Sequence, residues 1–126
     1  MASLIVEGFD LVVKMSDLEK AEAVHVDIHV PLAKVHEVRA VEDAWPELRG
    51  IRAPGTGIPY VIAVGTRRGS FGKDFAAVHG RGAAVVVDLE GADYSRLVVT
   101  TPDAEGVAAE IRRRLMPSLS EAPPAA

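Results

Sequence analysis

The sequence contains no cysteine, so disulfide bonds, thiolate metal sites and thiol catalysis are all excluded. Long apolar runs are also missing, because the longest unbroken aliphatic stretch is Ala83 to Val87 and a membrane-spanning helix needs about 20 residues. The N-terminus lacks the basic segment of a secretory signal, and Glu7 interrupts its short apolar stretch. We therefore expect a cytoplasmic protein without a transmembrane segment.

Basic residues are fewer than acidic residues. The chain has 14 lysine and arginine residues against 18 acidic ones, which gives a net charge of −4 and a pI of about 5.5. Nucleic-acid binders and membrane-surface modules need a positive field. Nucleic acid is therefore not expected as a partner.

What remains is the composition of one globular domain. The 126 residues are 48% apolar and 25% charged, which is enough for a single hydrophobic core. The last residues are rich in proline and alanine. We predict one domain over residues 1–116 and a disordered tail over residues 117–126.

Most of the chain alternates apolar and polar residues with the period of two that is typical of half-buried strands. The first segment, Leu4 to Met15, is interpreted as a strand or a bent pair of strands. Further short, valine-rich strands between glycine-bearing turns are predicted over residues 24–30, 38–41, 60–66, 71–78, 83–89 and 97–100. Such regularly spaced strands predict an antiparallel sandwich or barrel.

Two helices begin with capping signals. Ser16 and Glu19 match a capping box, in which each side chain accepts a hydrogen bond from the other residue's amide, so a short helix is expected there. Thr101 is the expected N-cap of a longer C-terminal helix that ends at Pro117. Its core-facing positions, spaced by three and four, are Ala104, Val107, Ala108, Ile111 and Leu115. On the same helix, Arg112 and Arg113 are expected to face water.

Three segments carry a family resemblance: Val30-Pro31-Leu32 before Val35 and Val38, Ile62-Ala63-Val64-Gly65-Thr66, and the strand Ala84 to Leu89. With the strand-then-helix order, the chain from about Val30 to Leu115 resembles the bacterial pleckstrin-homology-like (PH-like) domain family. The resemblance implies a mainly β fold, a bent antiparallel seven-stranded sheet or open barrel capped by the C-terminal helix. It implies a binding or assembly scaffold more than an activity.

The resemblance does not extend to lipid binding. Lipid-binding members of the wider superfamily hold phosphoinositide head groups with lysines and arginines between the first two strands. The corresponding connection, residues 16–23, holds Lys20 beside three acids, which are Asp17, Glu19 and Glu22. No phosphoinositide is therefore expected at the usual PH site.

His25, Asp27 and His29 form the most suggestive chemical pattern, because they share one face of a predicted strand. Successive side chains on that face stand about 7 Å apart, so two imidazoles need tilted side chains and a further ligand, such as His36, to hold zinc or nickel. The alternative is an ordinary solvent-exposed face opposite a valine core, and we favour that alternative.

Several basic residues and one tryptophan are candidates for ligand or partner binding. Residues 50–59 hold three glycines and two prolines and predict a loop, with Arg49 and Arg52 available to hold a carboxylate or phosphate. A basic stretch, consisting of Arg67, Arg68, Lys73, His79 and Arg81, spans two predicted turns. Trp45 is an interface anchor if it is exposed and a lid on the core if it is buried. For the loop and the basic stretch, the alternative is a purely structural or solubilising role, and we favour that alternative for both.

No catalytic machinery is visible. Ser70 lies outside any Gly-x-Ser-x-Gly pattern, and no two carboxylates are placed as acid and base. We expect no cofactor and a non-catalytic binding or assembly module that mediates protein–protein contact or self-association. The alternative is a small-molecule or metal-binding protein, including an enzyme, that uses the cup of the sheet.

Overall fold

The structure is a computed structural model that describes residues 2–23, 27–58 and 61–121. It is mainly β, with 49% strand and a long C-terminal helix, which confirms the expected fold class at that level. The strands are β1 (Ser3–Glu7), β2 (Asp10–Lys14), β3 (Ile28–Pro31), β4 (Val35–Val41), β5 (Ile51–Ile58), β6 (Ile62–Gly69), β7 (Gly72–His79), β8 (Ala84–Leu89) and β9 (Arg96–Thr100). The helices are α1 (Asp17–Ala23) and α2 (Ala104–Glu121), with short 3₁₀ turns at Leu32–Lys34 and Trp45–Glu47.

These strands form two sheets in the described ranges. One is antiparallel with the order β1-β2-β3, and the other has the order β4-β8-β9-β7-β6-β5. β7 and β9 run parallel, so the expected all-antiparallel arrangement is wrong for that pair. The pair is parallel because the β8–β9 hairpin brings β9 between β8 and β7. The expected count of seven strands is not confirmed, because residues 3–14 form a two-stranded hairpin and residues 51–58 form a further strand.

β5 occupies the segment for which glycine and proline predict a loop, so that prediction is wrong. The strand lies at the edge of the six-stranded sheet, where a missing amide is tolerated. Its register with β6 shifts between Arg52 and Gly55, and Pro54 lies within this bulge. An edge position and a bulge therefore allow a strand to contain residues that usually end one.

Buried apolar residues form two clusters in the described part of the chain. The main core fills the space between the two sheets and contains the largest fully buried side chains, among them Phe75, Leu11, Leu97 and Ile111. A second cluster covers the outer face of the six-stranded sheet, where Trp45 and Leu48 pack beside the buried Ala44. Both faces of that sheet are therefore covered by side chains.

Helix α2 packs its apolar face on the main core, as predicted. Ala104, Ala108 and Ile111 are buried there, and Leu115 packs against the cluster while half-buried. The three buried residues are spaced by four and three, so one stripe of the helix enters the core. The helix thus contributes to the core instead of standing in solvent.

Both ends of α2 differ from expectation. The N-cap is Asp103, whose Oδ1 accepts a hydrogen bond from the Gly106 amide over 3.2 Å, whereas the Thr101 amide donates to Ala83. The helix continues to Glu121, so its predicted end at Pro117 is wrong and residues 117–121 are helical. Proline has no amide hydrogen, so α2 continues past Pro117 without the hydrogen bond that this residue would otherwise donate to the carbonyl four residues earlier. Residues 122–126 of the predicted tail lie outside the described residues.

The capping box at α1 is confirmed in both directions. The Glu19 amide donates to Ser16 Oγ over 3.2 Å, and the Ser16 amide donates to Glu19 Oε1 over 3.0 Å. Glu19 is buried, and α1 lies against β5 and β6. No helix in the described part of the chain is long and apolar enough to cross a membrane.

Candidate functional site

A groove of about 420 Å³ lies along the outer edge of β3. One wall consists of β3 itself together with Asp27. The other wall comes from the β8–β9 turn, residues 91–94, and from Lys34 and Lys73. The groove therefore has a strand edge on one side and two lysines with an aromatic residue, Tyr94, on the other.

The strand edge in this groove carries unused backbone groups. Among the described strands, β3 pairs only with β2, and just beyond β3 the Leu32 amide donates to the carbonyl of Phe9 over 2.8 Å. Hydrogen-bonded pairs alternate along an antiparallel ladder, so Val30 also directs its backbone groups toward β2. His29 therefore directs its amide and carbonyl away from β2. Pro31, on the same edge, has a carbonyl but no amide.

Two lysines face this edge from the opposite wall. Lys73 Nζ lies 4.8 Å from the centre of the Tyr94 ring, a cation–π contact that fixes the ammonium. Tyr94 is itself held edge-on against Phe75, with ring centres 6.0 Å apart, and burial raises the pKa of its hydroxyl. Lys34 passes beside Gly91, whose φ of +73° is a backbone conformation that glycine adopts without strain.

The residues of the predicted metal site are only partly described. Asp27 and His29 both line the groove, whereas His25 lies outside the described residues. Asp27 Oδ1 accepts a hydrogen bond from the Met15 amide over 2.8 Å and lies 3.9 Å from Lys20 Nζ. His36 lies 3.6 Å from Glu90. Among the described residues, no group of three histidine or carboxylate side chains is arranged to hold a metal ion.

Arg49 makes an intramolecular clamp. Its Nε and Nη2 donate to the two carboxylate oxygens of Asp74 over 2.8 and 2.9 Å. Asp74 is only 2% exposed, and these hydrogen bonds raise the pKa of Arg49. The guanidinium also stacks 4.1 Å over the Phe71 ring. The Arg49 guanidinium, which the sequence suggests as a ligand-binding group, is thus bound to Asp74 on β7.

Arg67 reinforces the same region of the fold. Its Nε donates to the carbonyl of Arg49 over 3.0 Å, and its Nη2 donates to the carbonyl of Gly50 over 3.2 Å. Arg68 is exposed, and nothing is described of the Arg52 side chain. Of the four arginines proposed for ligand binding, two are therefore used to fasten the chain that enters β5.

The remaining basic stretch is divided between the two ends of the six-stranded sheet. Lys73 lies at the start of β7 beside the groove, whereas His79 lies at the far end of the same strand. There, His79 Nδ1 is 3.7 Å from Glu19 Oε2, and Arg81 pairs with Asp43 over 2.9 Å. The stretch does not form one basic surface.

Trp45 closes the second core. Its indole N–H donates to the carbonyl of Gly80 over 2.9 Å, and its ring packs against the cluster on the outer face of the sheet. Of the two interpretations that the sequence leaves open, the structure therefore supports a lid on the core.

A charge network that sequence reasoning missed ties the 3₁₀ turn containing Glu47 to the sheet. Arg39 Nη2 lies 3.0 Å from Glu47 Oε1, and Arg96 Nε donates to Asp88 over 2.8 Å. Arg96 also donates to the Glu47 carbonyl over 3.1 Å. Acids and bases alternate across β4, β8 and β9, so opposite charges offset each other and the network is structural. Only the strand pairing makes these residues neighbours.

Comparisons of the chain with protein-family models, with curated proteins and with solved structures find no match. The site must therefore be interpreted from its own geometry. Within the described residues, the groove is where an unused strand edge, two lysines and a buried tyrosine meet. The sequence pattern named Asp27 and His29 as metal ligands and Lys73 as part of a basic stretch, and it gave no indication of Lys34 or Tyr94.

Proposed function

We propose that this chain is a non-catalytic binding module that holds an extended segment of a protein partner along β3. The observation that carries the proposal is the outward amide and carbonyl of His29, on a strand that has one neighbour among the described strands. An exposed strand edge accepts a further strand through main-chain hydrogen bonds, and many peptide-binding domains use this mode. The partner strand would continue the three-stranded sheet.

The groove favours one extended peptide over the sheet edge of a second copy of the chain. Its volume of about 420 Å³ lies within the range of about 300–1,000 Å³ that is usual for ligand sites. Its second wall, residues 91–94 with Lys73, stands opposite β3. A single strand fits between two walls, whereas a whole sheet would have to displace one. Self-association is therefore the second choice.

The interior of the fold offers less support for a small molecule held in the cup of a sheet. The main core fills the space between the two sheets, and its central side chains, such as Phe75 and Leu97, are fully buried. A ligand there would replace packed apolar contacts. The outer edge of β3 needs no such rearrangement.

The test uses a random octapeptide library displayed on phage and selected against the full chain. His29→Pro removes the outward amide but no hydrogen bond to β2, whereas His29→Val keeps the amide and changes the side chain. We expect selected peptides to bind the wild type and His29→Val equally, and His29→Pro roughly tenfold more weakly, as one lost hydrogen bond implies. Thermal melts check that both variants fold.

A second arm leaves the protein unchanged. Two versions of a selected peptide are made, one N-methylated at its odd-numbered amides and one at its even-numbered amides. In one of the two versions, methylation removes the donor that would reach the His29 carbonyl, and we expect only that version to bind more weakly. The proposal is contradicted if peptides bind the wild type, His29→Val and His29→Pro equally and if both methylated versions bind as tightly as the unmodified peptide. Failure to select any peptide contradicts it as well.

We also propose a distant relationship to the bacterial PH-like family. It is supported by a mainly β chain that ends in a helix with Ile111 in the core. Its test is the Ile111→Ala variant described in the Discussion. A variant that melts like the wild type removes the core-capping role of the helix, which is the main support for this relationship.

A further inference from the structure

Resting on the peptide-binding function proposed above, we propose that the bound segment is acidic. An Asp or Glu side chain of the partner would lie between Lys34 and Lys73, with its backbone paired to β3.

The first support is that no carboxylate of the described residues lies beside either lysine. Most of the basic side chains in the described ranges meet an acid or a carbonyl, as Arg49 meets Asp74 and Arg112 meets Val38. Neither Lys34 nor Lys73 has a described carboxylate within 4.0 Å. Two ammonium groups on one wall of a groove create a positive potential that an anion offsets.

The second support is that one of these ammonium groups is positioned in advance. Lys73 Nζ rests 4.8 Å over the ring of Tyr94, which is only 6% exposed and therefore rigidly held. A fixed donor loses less conformational entropy when it binds a carboxylate than a freely rotating lysine does. Carboxylates form charge-assisted hydrogen bonds with such donors.

The acids of the groove do not already fill this role. Asp27 is engaged by the Met15 amide at 2.8 Å and by Lys20 at 3.9 Å. Asp93 is exposed and forms no ion pair with Lys34 or Lys73. No carboxylate among the described residues pairs with either lysine, so both ammonium groups can bind a carboxylate of the partner.

The experiment measures peptide affinity by fluorescence anisotropy, using library peptides whose binding depends on the His29 amide. We expect these peptides to share an Asp or Glu at one position, and Asp→Asn or Glu→Gln there to weaken binding roughly tenfold. Lys34→Gln and Lys73→Gln should each weaken it several-fold. Lys14→Gln is the matched control, because Lys14 pairs with Glu7 and does not line the groove, and it should change nothing.

A charge exchange completes the test. Lys73→Glu should abolish binding of the acidic peptide and restore it for a peptide with Lys at the shared position. Peptides that depend on His29 but carry no shared acid, or that bind Lys34→Gln and Lys73→Gln as tightly as the wild type, overturn the acidic inference and leave the peptide-binding function standing. Peptides that do not depend on His29 overturn both.

Discussion

Arg112 Nη2 donates a hydrogen bond to the carbonyl of Val38 over 2.7 Å. The contact joins α2 to β4, the strand at one edge of the six-stranded sheet. That edge is thus covered by a helix and an arginine, which is one way proteins prevent unwanted strand pairing. β3 has no such cover among the described residues, and its edge lines a groove instead. The difference between these two edges is the basis of the proposed function.

We predict that Arg112→Ala lowers the free energy of unfolding by about 1 kcal/mol, since one hydrogen bond to the edge of β4 is lost. Arg113→Ala is the control. Arg113 is exposed, and its ion pair in the described part of the chain is with the neighbouring Glu110 on the same helix, so its removal should cost less than about 0.5 kcal/mol. Urea denaturation of both variants measures the difference, and equal losses would show that the Val38 contact adds nothing.

Ile111→Ala should destabilise the protein strongly. Ile111 is 1% exposed, and the deletion leaves a cavity in the main core that costs about 2–5 kcal/mol. A domain of this size has a total of about 5–15 kcal/mol, so thermal unfolding should shift by many degrees. Leu115→Ala should cost less, because Leu115 is only half-buried. An unchanged melting temperature for Ile111→Ala would contradict the role of α2 in the core.

Arg49→Ala should leave the Asp74 carboxylate buried without its partner. Loss of one member of a buried ion pair costs about 3–5 kcal/mol, and we expect the lower end because the Arg49 side chain is 33% exposed. The double variant Arg49→Ala/Asp74→Asn should lose clearly less than the sum of the two single losses. Chemical denaturation of the three variants checks this. Additive losses would mean that the pair is not coupled.

Glu19 should make stability depend on acidic pH. Burial disfavours its charged form, but hydrogen bonds from the Ser16 amide and hydroxyl outweigh burial and hold the pKa of Glu19 below 4.5. A carboxyl whose pKa is lower in the folded state stabilises the protein above pH 4.5 and loses that contribution as the pH falls through the folded pKa. The stability gap between wild type and Glu19→Gln should therefore be widest at neutral pH and narrow below pH 4.5. A gap that widens on acidification would contradict this.

Local patterns predicted the elements whose stability is local. The capping box at Ser16 and Glu19 involves residues three apart in sequence, and the apolar stripe of α2 repeats at helical spacing. In both cases the partner of each residue lies on the same short segment. The sequence alone therefore specifies them.

β5 was mispredicted because its environment, and not its composition, makes it a strand. Pro54 and its neighbouring glycines disfavour regular pairing at most positions. An edge strand with a bulge between Arg52 and Gly55 tolerates them. That information lies in the sheet order, which the sequence does not display.

The binding groove could not be predicted from the sequence, for the same physical reason. Lys34, Lys73 and Tyr94 come from three separate parts of the chain, and only the folded sheets place them around β3. The sequence pattern suggests Asp27 and His29 as metal ligands because they share a strand face. Arg49 was proposed as a ligand donor, whereas its partner Asp74, 25 residues away, holds it in the fold. In each case, the role of the residue depends on contacts with residues that are distant in the sequence.

The most direct measurement of the peptide-binding account is the amide NMR signal of His29 in nitrogen-15-labelled full chain, recorded during titration with a selected octapeptide. We predict a downfield shift and slower hydrogen exchange for this amide, because it donates a hydrogen bond to a peptide carbonyl in the complex. Smaller shifts should appear at residues 91–94, on the opposite wall of the groove. A His29 amide that keeps its shift and exchange rate while the peptide binds would contradict the account.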